Sequence, residues 1–291
     1  MKTFYFTAAL PILSALALSA CGGGGSTPGV ASGSTQVSAP VVAPVPATTP
    51  PPPATAPVAT PTFSGADAQG AYYGTISATP ATASNTSQFT AIVLEDGSFF
   101  YGASLNNKIT VMAHGNATGG NGSLASTNTV NFDSVGHKVS QIPAVSLSYV
   151  AKKSLSGLVS DGAGNNGTFT STYNAAYDSP ATLGALTGAY HGTAATVSGY
   201  LASTMTIAAD GSITGTSAGA SAACNFTGSA VPRPTGKNLF NVTINFGTGC
   251  ALTGKAITGV ATVAFSNGVV SLNAFGVLAD RSDAFFVSMT N

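Results

Sequence analysis

The 291-residue sequence lacks tryptophan, contains a single glutamate, Glu95, and has charged side chains at only 6% of its positions, whereas about a quarter of the residues of a typical globular protein are charged. Without Lys2, eight basic side chains (nine less one) face nine acidic ones, a net charge near −1. This balance gives no electrostatic basis for binding nucleic acid or acidic lipid headgroups. Long helix formers are scarce, and Gly, Ser, Thr, Ala, Asn and Val dominate, a composition typical of strands and turns.

The N-terminus has the pattern of an export signal. Lys2 precedes an apolar run from Phe4 to Leu18, which is too short for a membrane span, so we interpret residues 1–20 as a signal peptide. The run ends in Leu18-Ser19-Ala20-Cys21, which resembles a bacterial lipobox. The resemblance implies that Cys21 becomes the lipid-bearing N-terminus, with a diacylglycerol on its sulfur and an acyl chain such as palmitate on its amine.

A long segment after Cys21 cannot form a core. Four glycines follow the cysteine, and residues 26–62 contain ten prolines and no charged residue. Such a segment buries too little apolar surface to offset its ordering entropy, and its prolines favour extended polyproline II. We predict that residues 21–65 form a disordered tether, roughly 40 Å long as a flexible coil.

Two cysteines remain, and they predict a disulfide. An even pair in an exported chain is usually bridged. Residues 226–231 and 240–246 read as a hairpin whose turn, at 232–237, contains the midpoint of Cys224 and Cys250, so the two cysteines should face each other. A bridge closing this loop contributes roughly 3 to 4 kcal/mol in the chain-entropy model. The alternatives are two free buried thiols and a metal site, for which no further ligand has suitable spacing.

The remaining chain contains an internal repeat. Gly70-Ala71-Tyr72-Tyr73-Gly74-Thr75 returns as Gly188-Ala189-Tyr190-His191-Gly192-Thr193, and each copy is followed by an apolar strand and an Asp-Gly pair, Asp96-Gly97 or Asp210-Gly211. A period near 115 residues indicates duplicated domains rather than a solenoid. We predict one unit at 66–180 and a second at 181–291.

Both units show the alternation of half-buried strands. Val130 and Phe132 alternate with Thr129 and Asn131, and Met205 and Ile207 alternate with Thr204 and Thr206. Asp96-Gly97, Asp210-Gly211 and Asn267-Gly268 predict two-residue hairpin turns of type I′. The fold class is therefore all-β: two tandem antiparallel units of about eight strands, each a barrel or a sandwich, because closure removes exposed sheet edges.

These features together resemble a group of uncharacterised Gram-negative lipoproteins of the outer membrane, on the basis of Cys21-Gly22-Gly23-Gly24-Gly25, the tether and the paired Gly-x-Tyr-x-Gly-Thr openings. They resemble more distantly the barrel lobes of transferrin-binding and factor H-binding surface lipoproteins. The second resemblance implies eight-stranded barrels and the capture of host proteins.

Three motifs invite catalytic or cofactor interpretations. Gly215-Thr216-Ser217-Ala218-Gly219 fits the nucleophile elbow of hydrolases, but no helix and no histidine follow it. Gly162-Ala163-Gly164-Asn165-Asn166-Gly167 fits a dinucleotide loop, yet a strand pattern follows instead of a helix. The histidines, His114, His137 and His191, have no carboxylate or cysteine at metal-ligand spacing. We expect no catalytic residue, no metal and no cofactor.

The sequence therefore favours a non-enzymatic lipoprotein of the outer membrane, facing the surface or the periplasm, that binds or adheres to an extracellular or envelope protein. It interacts with the membrane through its lipid and not with nucleic acid. Two alternatives remain open: a lipocalin-like periplasmic carrier of small molecules and a hydrolase that uses Ser217.

Overall fold

The computed structural model describes residues 65–79, 86–160, 162, 166–218 and 223–291. The predicted signal peptide, Cys21 and nearly all of the predicted tether lie outside the described residues. All the described residues belong to one compact unit of the chain, Pro57–Asn291. Whether the units 66–180 and 181–291 are separate domains stays a prediction.

The first lobe is a curled antiparallel sheet, preceded by a 3-10 turn at Ala66–Ala68. Its eleven strands, counted over the described residues, are β1 (Gly70–Thr79), β2 (Thr86–Val93), β3 (Ser98–Leu105), β4 (Lys108–Asn116), β5 (Thr118–Gly120), β6 (Ser123–Ser126), β7 (Thr129–Asp133), β8 (Lys138–Ile142), β9 (Ala144–Val150), β10 (Ser154–Ser160) and β11 (Asn166–Tyr173). The spatial order is β5-β6-β9-β10-β11-β1-β2-β3-β4-β7-β8, so β5 and β8 are the terminal strands of the described sheet.

The second lobe is a closed antiparallel barrel with an up-and-down order of eight strands. A 3-10 turn, Ala175–Asp178, and a short helix, α1 (Leu183–Leu186), connect the first lobe to it. The strands are β12 (Gly188–Thr196), β13 (Gly199–Ile207), β14 (Ser212–Ser217), β15 (Cys224–Pro232), β16 (Phe240–Phe246), β17 (Ala256–Ser266), β18 (Val269–Val277) and β19 (Ala284–Thr290). The all-β prediction is confirmed. The eight-strand barrel is found in this lobe, whereas the first lobe has more strands and an incomplete curl.

The repeated sequence segments have the same local structure. The Tyr72 hydroxyl donates to the carbonyl of Ala68 (2.7 Å) and the Tyr190 hydroxyl to that of Leu186 (2.8 Å), so each tyrosine fixes the turn that leads into its strand. The predicted type I′ geometry is wrong at both Asp-Gly turns, where only Gly97 and Gly211 have positive φ. Their amides close turns on residues three positions earlier, as in a type I turn with a bulge. At Asn267-Gly268 both residues have positive φ, as type I′ requires.

Three apolar clusters hold the described residues together. One fills the barrel and a second fills the deeper part of the first lobe. The third lies between the lobes, where Phe100 and Met112 of the first sheet meet Phe275 and Phe286 of the barrel. Phe275 and Phe286 stack with ring centroids 4.2 Å apart, and Phe100 lies 6.1 Å from Phe275. Outward-facing aromatic residues of both sheets are therefore buried against each other.

Because of this shared core, the apolar residues of β7 are buried on the outer face of the first sheet, against the second lobe. Alternation in β7 suggested a buried Val130 and Phe132 and a wet Thr129 and Asn131. Val130 and Phe132 are indeed buried, but they belong to the cluster between the lobes. Thr129 is fully buried on the opposite face. Both faces of β7 thus carry buried residues, because the second lobe packs on the outside of the first.

Two arginines make polar contacts across the interface between the lobes. Arg233 donates from Nε and Nη2 to Oε1 of Glu95, at 2.9 and 2.7 Å. The Nη2 of Arg281 donates to the carbonyl oxygens of His114 (2.5 Å) and Asn128 (2.7 Å). Both arginines belong to loops of the second lobe, and both bind groups of the first.

His114 makes this interface sensitive to acid. Its ring lies 4.6 Å from that of Phe100, and burial, followed by the charge of Arg281, lowers its pKa from 6.5 to about 4. The unfolded chain therefore binds a proton between pH 6.5 and 4 that the folded protein does not, so stability falls as the pH falls through this window. We expect a loss on the order of 2 to 3 kcal/mol, since each pKa unit corresponds to about 1.4 kcal/mol.

The variant His114→Phe keeps a ring against Phe100 and should remove this contribution. Urea unfolding at pH 4, 5 and 6.5 would measure it. His191→Phe, at an exposed position on β12, is the control and should keep the wild-type slope. An unchanged slope in His114→Phe would contradict the assignment.

Candidate functional site

The first lobe is hollow at one end. A cavity of about 450 Å³ opens there, which we call the cup. Its lining includes small residues at inward positions, among them Ala78 of β1, Ser87 of β2, Ala103 of β3 and Gly167 of β11. Because these side chains are too short to meet across the lobe, the space between the strands is unfilled at this end.

Aromatic residues form the floor of the cup. Tyr101 lines it from β3 and is almost completely buried. Beneath it, Phe89 lies 5.7 Å from Tyr101 and stacks on Phe169 at 4.3 Å. Burial raises the pKa of Tyr101 above its ordinary value, so its hydroxyl is uncharged at neutral pH. The floor is therefore packed and rigid.

The wall formed by β7 and β8 is polar. Asn131 and Asp133 lie at alternate positions on β7, and Lys138 and Ser140 lie at alternate positions on β8. Asp133 also closes the hairpin between the strands, because its Oδ1 accepts the amides of Val135 (2.9 Å) and Gly136 (2.8 Å). The rest of the lining includes aliphatic side chains, among them Ile76 and Val159. The cup thus combines apolar surface with a few fixed polar groups, as ligand pockets usually do.

The cup also extends to the edge of the described sheet. Ser140, Gln141 and Ile142 are consecutive in β8, and all three line the cavity. Successive side chains of a strand point to opposite faces, so Ser140 and Ile142 share one face and Gln141 lies between them. In the described sheet β8 is a terminal strand, paired with β7 alone. The opening therefore lies next to a strand whose other side is unpaired among the described residues.

The interior of the barrel, in contrast to that of the first lobe, is filled. It is occupied by residues such as Phe226, Ile244 and Phe285, which leave a void of only about 10 Å³. A second cavity, of about 90 Å³, lies at one end beside Cys224 and Cys250. The first lobe therefore has more room for a ligand than the interior of the barrel.

A cleft of about 420 Å³ lies between the lobes. Its charged side chains are bound to other groups of the protein: Arg233 to Glu95 and Asn241, and Asp96 to the amide and hydroxyl of Ser98. These contacts hold loops in place, so we regard the cup as the stronger candidate site.

The structure contains the predicted disulfide between Cys224 and Cys250. The predicted register is off by two residues: Phe226 pairs with Phe246 rather than with residue 248, and Cys250 lies beyond the end of β16. A loop carries Cys250 back toward β15, and the amide of Asn225 donates to the carbonyl of Thr248 in that turn. Cys21 lies outside the described residues, so its lipidation stays a prediction.

Residues 215–217 of the elbow-like segment belong to strand β14. Ser217 is the last residue of β14, is buried, and its Oγ lies 2.6 Å from that of Ser203 on β13. Within the described part of the chain, no hydrogen bond joins Ser217 to a histidine or a carboxylate. In the glycine-rich loop, residues 161 and 163–165 lie outside the described residues.

The three histidines are far from forming one site. His114 belongs to the lobe interface, His191 is exposed on β12, and the Nδ1 of His137 lies 2.9 Å from the carbonyl oxygen of Val197. Across residues 65–79, 86–160, 162, 166–218 and 223–291, no three His, Cys, Asp or Glu side chains gather as a metal site would require. The aromatic residues Phe99, Phe100 and Tyr101 are all buried and form no exposed patch.

Among the helices of the described residues, none has the length and apolar character needed to span a membrane.

Fold and site define an all-β protein with one filled barrel and one hollow, curled sheet. No family model matches the chain, and no curated protein sequence matches it. Solved structures do show similarity. One is a protein of unknown function from the DUF3598 family of Nostoc punctiforme, with 9% identity and a TM-score of 0.27, covering 77% of this chain and 96% of the other.

Two further similar structures are transferrin-binding proteins B. The protein from serogroup B Neisseria meningitidis is 9% identical with a TM-score of 0.28, and the similarity covers 71% of this chain and 63% of the other. A variant of the protein from Haemophilus parasuis is 8% identical with a TM-score of 0.25, covering 79% of this chain and 75% of the other.

Proposed function

We propose that this protein is a non-enzymatic binding protein, attached to the outer membrane by lipid on Cys21, and that the cup of the first lobe receives part of a protein partner. The observation that carries the proposal is the difference between the lobes. The barrel is filled by its own side chains, whereas the first lobe retains about 450 Å³ of lined, open volume.

The position of the cup supports this proposal. The described chain enters the first lobe at Gly65, next to the beginning of β1, whereas Ile76 and Ala78 near the end of β1 line the cup. A strand of ten residues is roughly 33 Å long. The cup therefore lies at the end of the lobe opposite Gly65, the first described residue.

Capture of a partner by intact cells tests the proposal. Cells that display wild-type protein should retain a partner from envelope extract or host fluid after chemical crosslinking, and Ser140→Trp should reduce that retention at least tenfold, because indole fills the cup from β8. Thr206→Trp, at an exposed position on β13, is the matched control and should behave as wild type. Failure of the wild-type protein to retain any partner would contradict the proposal.

Protease treatment of intact cells, with a periplasmic protein as control, then locates the described lobes. Release of residues 65–291 with the control intact would support a partner outside the cell. Complete protection would direct the search to partners in the periplasm.

A second candidate function is a carrier of apolar small molecules, favoured by the aliphatic part of the cup lining. Mass spectrometry of organic extracts of the purified full chain should then find a compound in stoichiometric amount. Ser140→Trp should lose the compound and Thr206→Trp should keep it. An extract without such a compound would leave the macromolecular partner as the better explanation.

A further inference from the structure

We propose that the cup and the unpaired side of β8 form one site for an extended peptide segment, which would pair with Lys138–Ile142 as an additional strand and place alternate side chains in the cup. The inference rests on the proposed function and specifies the chemistry of the partner.

The first step concerns the main chain of β8. In an antiparallel pair, the amide and carbonyl groups of alternate residues point toward the neighbouring strand and those of the remaining residues point away from it. Over the described residues β8 pairs with β7 only, in the register Asp133 with Lys138 through Thr129 with Ile142. The other side of β8 therefore presents donors and acceptors at the spacing of a strand, and another extended main chain matches that spacing.

The second step concerns the side chains. The cup borders Ser140, Gln141 and Ile142, so its lining extends to β8, the terminal strand of the described sheet. A strand added there has alternate side chains directed toward the interior of the first lobe. The interior offers aliphatic surface at Ile76 and Val159 and hydrogen-bonding groups at Asn131 and Ser140.

The third step concerns length and charge. Pro143 follows Ile142 directly and has no amide hydrogen, so the pairing surface ends there. Five residues of β8 accommodate about two or three inward side chains of a partner. Lys138 and Asp133 are paired in register at the mouth, which leaves the wall without net charge. The matching ligand is a short, uncharged, extended peptide segment with small or aliphatic residues at alternate positions.

A library of random linear dodecapeptides displayed on phage would supply probes, selected on the full chain immobilised through its C-terminus. Synthetic copies of the enriched peptides would then be prepared with a single N-methyl group at each position in turn. We expect loss of affinity by at least tenfold when alternate residues are methylated and little change at the residues between them, because only alternate amides face β8. Ser140→Trp should weaken binding at least tenfold, and Thr206→Trp should not.

Proline substitution provides a second measurement on the protein. Val139→Pro and Ser140→Pro each remove one amide, and one of the two amides points away from β7. The variant with the smaller loss of thermal stability identifies that amide. This variant should bind the peptides at least tenfold more weakly than wild type.

Equal binding of the peptides by this variant and by wild type, insensitivity of the peptides to methylation, or a library without enriched peptides would each overturn the proposal. Retention of a cellular partner that Ser140→Trp abolishes, together with insensitivity to methylation, would leave the proposed function standing without strand pairing.

Discussion

Phe286→Ala should destabilise both lobes together, by about 3 to 5 kcal/mol. Phe286 lies on the outer surface of the barrel but is only 3% exposed, because the first lobe covers it. Its ring stacks on Phe275 and occupies the space where Gly102 of β3 has no side chain: a Cβ built on Gly102 would lie within 3 Å of the ring. Removing the ring leaves a cavity in the core that the two lobes share.

Hydrogen exchange measured by mass spectrometry at increasing urea concentration would check this expectation. Peptides from β2 and from β16 should lose protection at one urea concentration in the wild type, and at a common, lower concentration in Phe286→Ala. Phe265→Ala is the matched control, since Phe265 is 58% exposed at the end of β17, and it should change stability by about 0.5 kcal/mol or less. Separate transitions for the two lobes in the wild type would show that the interface does not couple them.

The repeat and the shared core lead to different expectations about unfolding. A duplication of about 115 residues suggests two units that unfold independently. The interface cannot be recognised from the repeat, because the residues that form it differ between the copies: Tyr73 packs against the interface cluster, whereas His191 at the corresponding position is exposed. A sequence period reports common ancestry of the lobes, whereas the packing between them depends on positions at which the two copies differ.

Strand positions followed from alternation, but the direction of each face did not. A period of two places Phe99 and Tyr101 on one side of β3 and Phe100 on the other, and the structure agrees. Both sides are buried, since the interior of the lobe covers one and the barrel covers the other. Alternation shows that the two faces of a strand differ in side-chain type. It cannot distinguish a face exposed to solvent from one that packs against a second lobe.

The cup could not be found from the sequence for a related reason. Its wall consists of Asn131, Asp133, Lys138 and Ser140, which read as the wet face of two strands. Its inward positions, Ala78 and Ala103, look like ordinary small residues in a chain rich in alanine. A signal for the cup was the size of the inward side chains, which are small in the first lobe and large in the barrel, as at Ile244 and Phe246. That comparison requires the inward face of each strand to be known, which the sequence did not supply.

Loss of the disulfide should cost about 3 to 4 kcal/mol in the free energy of unfolding. The bridge spans 26 positions of sequence, and closing a loop of this length restricts the unfolded chain by roughly that amount. Cys224 and Cys250 are both less than a tenth exposed, so a reductant reaches them slowly in the folded protein. The double variant Cys224→Ala/Cys250→Ala is therefore a better test than reduction of the wild type.

Urea unfolding of the double variant should show the full loss, with and without reductant, whereas wild type should approach the same value only when it is unfolded and refolded in reductant. Because the interface joins the lobes, the loss should appear in peptides of β2 as well as of β16. The bridge closes a loop in the barrel alone, so a shift of the urea midpoint at β2 would report coupling through Phe100, Phe275 and Phe286.

If β16 loses protection at a lower urea concentration while β2 keeps its wild-type midpoint, the lobes unfold separately. The shared core then contributes less to stability than its burial indicates. A change below about 1 kcal/mol in both would contradict the assigned contribution of the disulfide, since it is well under the chain-entropy value.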